Sequence, residues 1–402
     1  MRCLRKTMNL VVAAAIALCF ALIPPAALAN DVPPISAYGE LPEIEDAALS
    51  PSGNRIAALL TIRDTRLLVA FDENNQVISR TNVNDMKVRS FDWVGEDRLL
   101  LTYSVTENLG ASFTTDKHEF SIAITIPINN SETGVAVFSN QRGLVNSIFG
   151  NYGTRQIDGR WYGFFGAIEL SRGTRMGEYE FRHGRPYLYR VDLLDNSTDR
   201  VALAAETNHD NDWLIDANGD VAATFDINRE NGRWTIRNSE RDIIVRGQSD
   251  SARSGLIGLG YGGATVIYYD ADEDGRSRRF EVPLIGGTPE SFLPGITIDR
   301  LYFDAQTGHL SGHLEEGADP RPVFEDPAKA QAVSMVQSAF SEYSMRIVDW
   351  SDDLSNVIVR TTGQQDSGTW FTVDVENLSA QAFAYERRAI EPQHVGPFST
   401  LS

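Results

Sequence analysis

The chain has 402 residues, 42% of them hydrophobic and 23% charged, a balance that supports a sizeable buried core and excludes disordered, collagen-like and coiled-coil classes. Its 36 Lys and Arg against 55 Asp and Glu leave a net charge of −19, which repels phosphate backbones and anionic lipid, so nucleic acid is not an expected partner. At roughly 150 residues per domain, the length suits two or three domains or one large all-β unit.

Arg2, Arg5 and Lys6 precede an apolar run over residues 10–23, followed by Ala27-Leu28-Ala29. Small residues at Ala27 and Ala29 suit cleavage before Asn30, so residues 1–29 read as a secretory signal peptide rather than a membrane anchor, for which the run is short. Leu18 stands where lipid attachment at Cys19 would need a small residue. Cleavage removes three cations and no acids, taking the net charge from −19 to −22. Cys3 and Cys19 both leave with this leader, so the mature chain has no disulfide, thiolate nucleophile or cysteine metal site. A cysteine-free exported chain of this size relies on its own core, and a periplasmic or secreted bacterial protein is the expectation.

Beyond an N-terminal extension at 30–40, short runs rich in Val, Ile, Leu, Phe and Tyr recur at 55–61, 98–103, 221–225, 265–269 and 356–361, each after a turn. Turn centres fall near Ser52, Glu96, Gly159, Gly219, Gly262, Thr307 and Leu354. This spacing suits units of several strands that bury both faces only by stacking on neighbours. It predicts an all-β, seven-bladed β-propeller over residues 41–390; a six- or eight-bladed ring and two packed β-domains are the alternatives. Insertions are expected at 105–117 and 171–186, where polar and glycine-containing stretches interrupt the alternation. One decorating helix is predicted on the sixth unit: Asp326 caps it, Pro327 fits its first turn, and Ala332, Val333, Val336, Ala339 and Phe340 share a packing face.

Several strings resemble sites. Gly258-Leu259-Gly260-Tyr261-Gly262-Gly263 fits the dinucleotide pattern, but a β-run follows it instead of the helix that would hold a pyrophosphate, so it reads as a blade turn. Asp270, Asp272, Asp274, Gly275 and Glu281 match a calcium-loop spacing. Strand-like flanks and Arg276, Arg278 and Arg279 favour a solvated hairpin instead. His309 and His313 would lie about 13 Å apart along a strand, too far for one ion. His118, His183, His209 and His394 are scattered, and no G-x-S-x-G elbow occurs. No cofactor, metal or catalytic set is expected from these residues.

Leu41-Pro42-Glu43-Ile44, leading to Ala48-Leu49-Ser50-Pro51-Ser52-Gly53-Asn54-Arg55-Ile56-Ala57, is similar to the opening blade of the prolyl oligopeptidase family propeller, with Ser52 in place of the usual aspartate. Phe91-Asp92-Trp93-Val94 before Asp97-Arg98-Leu99 resembles the second blade. The predicted helix, Trp350-Ser351-Asp352-Asp353 and Gly368-Thr369-Trp370-Phe371-Thr372-Val373-Asp374 follow the family order, especially that of exported acylaminoacyl- and dipeptidyl-peptidase-like members.

The resemblance implies a non-catalytic propeller that orients peptides for an α/β-hydrolase domain carrying a Ser-Asp-His triad. Residues 391–402 stand where that domain would begin, so the resemblance implies an inactive, truncated peptidase portion. A free-standing periplasmic propeller holding a peptide or partner protein is the alternative, with an enzyme built on the propeller third. Glu178, Glu180, Glu315 and Glu316 do not align with the family's amine-binding glutamates. A monomer with weak, salt-promoted self-association is expected.

Overall fold

The computed structural model describes residues 32–108, 116–129, 133–175, 177–249, 253–271, 274–317, 320–363 and 365–396. Along these residues seven antiparallel sheets of three or four strands follow one another. Their innermost strands are Ile44–Leu49, Lys87–Val94, Asn151–Ile157, His209–Ile215, Gly255–Leu259, Ile298–Phe303 and Ser344–Trp350. The strand runs read from sequence are the second strands, Ile56–Ile62, Arg98–Asn108, Val221–Asn228, Thr265–Ala271 and Asn356–Gly363, and the last four of these run further than expected.

Both faces of these second strands are buried, because successive side chains enter different cores. Leu99 and Leu101 pack between the first and second sheets, while Leu100 packs between the second and third. Phe165 faces back to the second sheet and Phe164 forward to Trp213 of the fourth. Val266 joins Phe225 and Ile236, while Ile267 joins Ile298 and Leu310. Val357 and Val359 meet Tyr302 and Leu314; Ile358 meets Ile44 and Ala58 of the first sheet. The last core thus returns to the first sheet, and the all-β fold is a closed β-propeller.

The helix predicted on the sixth unit is present as α2 (Pro327–Ala339), after a short helix α1 (Ile35–Gly39) that the sequence reading did not anticipate. Asp326 caps α2 by accepting the Ala328 amide at 2.8 Å. Val333, Val336 and Phe340 bury the helix against Ile347 and Val359. The two ends of the expected insertion at 105–117 are strand, residues 105–108 closing Arg98–Asn108 and Lys117 opening Lys117–Pro127; residues 109–115 lie outside the described residues. Long antiparallel pairing there overrides the polar composition. The stretch at 171–186 holds a small ribbon, Leu170–Arg172 with Tyr179–Phe181, separate from the third sheet. No helix among the described residues is long and apolar enough to cross a membrane.

Candidate functional site

Turns that follow the inner strands are tied to one another around the ring. Gln306 Nε2 donates to Asp352, the Asp352 amide donates to the Pro51 carbonyl at 3.0 Å, and the Ser52 amide donates to Glu96 Oε1 at 2.8 Å. The sixth sheet's turn also crosses the axis. A Cβ on Gly308, which has φ +72°, would overlap the guanidinium of Arg155 from the third sheet. Arg155 is 5% exposed and donates to the carbonyls of Thr154 and Ile215 at 2.7 Å and of Asp216 at 2.9 Å. Burial pushes this guanidinium down to about 10, against the charges of Asp216 and Asp304. Gly308 is therefore glycine both for its left-handed backbone and for Arg155.

Two cavities lie along the axis. One of about 480 Å³ is lined from the second to sixth sheets, including Asp92, Arg155, Asp212 and Asp304. The other, about 530 Å³, opens among the first, second, sixth and seventh sheets and also includes Asp92. Its wall carries Asp46, Asp349, Arg300 and Arg346 together with Glu45, Arg360 and Glu386, whose charges are paired. Arg66 holds Glu45 through two bonds of 2.7 and 2.8 Å, and Arg360 holds Glu386 through Nε and, at 3.0 Å, Nη2.

Three different inner strands supply the carboxylates. Asp46 accepts the Ala47 amide at 2.9 Å, and Asp349 accepts the Leu49 amide at 2.7 Å. Asp92 is open to cavity water but lies deep within the ring. Desolvation there, followed by the charge of Asp46, pushes its carboxyl up to about 6. Burial likewise pushes Asp349 up to about 7, opposed by the Leu49 and Trp350 amides and reinforced by Asp92 and Asp46. Asp46 is raised by burial, while Arg300 and Arg346 pull it down. Further along the axis, burial raises Asp212 in spite of bonds from the Trp213 amide and the Tyr152 hydroxyl. No group of three or more His, Cys, Asp or Glu among the described residues could hold a metal ion.

The sequence reading assigns none of these acids to a site, and Asp92 enters it only within the blade-like Phe91–Val94 string. Asp92-Trp93, Asp212-Trp213 and Asp349-Trp350 are one recurring dipeptide near the ends of three inner strands. That repetition was the available signal, since an acid beside a core-facing tryptophan on a strand faces the opposite way.

The motifs that were singled out do not converge here. Gly258–Gly263 spans the end of an inner strand and a tight turn, where Gly258 abuts the Phe303 ring and Gly263 abuts His309. Asp270 pairs in register with Arg278, and Glu281 with Ile267, so the two carboxylates occupy opposite faces of one hairpin. Ser254 donates its hydroxyl to Asp270, and Thr265 donates to Glu281. Asp274 lies in the connecting turn; Asp272, like Ala27, Ala29 and Asn30, is outside the described residues.

His313 is 4% exposed, with Nε2 3.7 Å from Glu315 Oε1, whereas His309 lies at the turn. His118 packs on Phe120 and His183 stacks on Tyr187. His394 lies in a short helical turn near the end of the described chain. His209 contacts Asp226 Oδ1 at 2.7 Å through Nδ1 and Asn228 Nδ2 at 2.9 Å through Nε2. Both of its ring nitrogens are thus engaged, neither with a hydroxyl.

No protein-family model matches the chain, and no curated protein matches it. Among solved structures it is similar to a prolyl endopeptidase, with TM-score 0.47 and 10% identity, covering 86% of this chain and 50% of that one. A puromycin-hydrolyzing peptidase of Mycobacterium tuberculosis gives TM-score 0.42 and 11% identity, covering 88% and 55% respectively. TolB from Acinetobacter baumannii gives 0.33 and 12%, covering 84% and 65%. The chain spans about half the length of both peptidases. The propeller assignment rests on the sheet order and on the cores between successive sheets.

Proposed function

We propose that this chain is the non-catalytic, peptide-binding propeller portion of an exported serine-peptidase-like protein of the prolyl oligopeptidase family, acting with an α/β-hydrolase domain. The observation that carries the peptide-binding part is the axial cavity, a concave space walled by four sheets and lined with polar groups from separate inner strands. The blade-turn and Gly-Thr-Trp-Phe resemblances in the sequence support the family part. Export is supported by the leader pattern at 1–29.

A photoreactive unstructured peptide of about a dozen residues tests the reading. Cross-links are expected on the inner strands around Asp92 and Arg346, with no peptide hydrolysis by the purified protein. Labelling confined to the outer sheet edges would overturn the binding site. Turnover that one propeller substitution abolishes would overturn the non-catalytic assignment, because acyl transfer needs a nucleophile and oxyanion donors together.

A further inference from the structure

The charges around the larger axial cavity divide into those already neutralised and those left open. Glu45 is held by Arg66, and Glu386 by Arg360. The side chains of Arg300 and Arg346, on the adjacent inner strands of the sixth and seventh sheets, make no hydrogen bond or ion pair among the described residues. They lie close enough to Asp46 to lower its pKa, yet no ion pair forms between them. Asp92, also in the cavity wall, is shifted only by its surroundings and the Asp46 charge, with no hydrogen bond contributing. Asp46 and Asp349 accept only backbone amides. The cavity therefore presents two unpaired guanidiniums and three carboxylates in one solvent space.

Asp46, Asp92, Arg300 and Arg346 are exposed to the cavity solvent, so their charges stay hydrated without a protein partner and are open to a ligand, unlike those of the Glu45–Arg66 and Glu386–Arg360 couples. Guanidiniums also match carboxylates in a two-bond geometry that ammonium groups cannot reproduce. We propose that the cavity binds a small zwitterion of the peptide class, a short peptide with both termini free, its carboxylate at Arg300 and Arg346 and its ammonium among Asp46, Asp92 and Asp349. This inference rests on the peptide-binding reading above and specifies the ligand of that site. The Arg360–Glu386 couple buttresses the arginine wall, since both residues also line the cavity.

The test is calorimetric titration of the purified protein, at low salt and pH 7.5, with tetra-alanine, its N-acetyl form and its C-terminal amide. Free tetra-alanine is expected to bind, and each cap to weaken binding at least tenfold. In an Arg300→Gln/Arg346→Gln double variant the free peptide binds as weakly as the amide binds the parent, and amidation costs nothing further. Asp92→Asn removes the sensitivity to acetylation in the same way.

The cap comparison on the parent protein needs no variant, so a misfolded variant leaves the test intact. Equal binding of all three peptides, or no binding of any, overturns the proposal. If a twenty-residue unstructured peptide then binds whatever its termini, the zwitterion site is wrong and the peptide-binding propeller stands; if that peptide also fails to bind, both fall.

Discussion

The amide of Leu49 donates to Asp349 Oδ2 at 2.7 Å, joining inner strands 300 residues apart. Beside it, the Asp352 amide donates to the Pro51 carbonyl at 3.0 Å, and the Glu43 amide donates to the Glu386 carbonyl at 2.8 Å. The ring is closed between its first and last sheets by these polar contacts and by the core of Ile44, Ala58, Ile358 and Trp370. One of the closing groups is a titratable carboxyl, so closure and pH are coupled.

Burial raises Asp349 from 3.8 to about 7. A carboxyl raised by folding is protonated more readily in the folded than in the unfolded chain, so its contribution is complete below pH 3.8 and is lost as pH rises through about 7. Asp349→Asn keeps an acceptor oxygen for Leu49 and removes the charge that faces Asp46 and Asp92. The variant is expected to be more stable than the parent at pH 8, with the gap shrinking towards pH 5. Denaturant midpoints at pH 5, 6.5 and 8 measure it, and a gap that widens on acidification would contradict the assignment.

Gly308→Ala places a methyl group against the Arg155 guanidinium at a residue with φ +72°. Steric overlap and left-handed strain act together, so a loss of about 2 kcal/mol or more is expected. Gly275→Ala, at φ +74° with open space around it, provides the control. It is expected to cost only the backbone term, about 1 kcal/mol.

Leu354 occupies a turn with φ 56° where the first and fourth sheets use Gly53 and Gly219. It is nevertheless 1% exposed, packed in the core between the sixth and seventh sheets. Strain of about 1 kcal/mol is outweighed by burial of a leucine, for which truncation costs about 2–5 kcal/mol. Leu354→Gly is therefore expected to lower the melting temperature although it relieves the backbone. An increase would show that strain dominates.

Arg387 Nη1 donates to the Glu40 carbonyl at 2.9 Å and the Tyr38 carbonyl at 3.4 Å. These bonds hold α1 and the chain leading to the first sheet, where Ile35 is 91% exposed and little apolar burial contributes. Arg387→Ala is expected to speed limited proteolysis around residues 35–42 severalfold and to change global stability by less than about 1.5 kcal/mol, the net worth of such bonds. Unchanged cleavage would assign the anchoring to other contacts.

The all-β propeller, the place of the helix before Ser344 and the turns that punctuate the sheets were legible in the linear order of residues. Those features arise from local causes: short apolar runs such as 356–361, left-handed turn positions such as Gly53 and Gly219, and the Asp326-Pro327 helix start. The axial cavity was not legible. Asp46, Asp92 and Asp349 look like ordinary strand-end acids in the chain, and only ring closure brings them together, because the first and seventh sheets meet across 300 residues. Local hairpin pairing, by contrast, decides where two residues of the calcium-like spacing lie. Strand pairing turned Asp270 and Glu281 to opposite faces, and the two-residue period of a strand overrides any spacing borrowed from a helical loop.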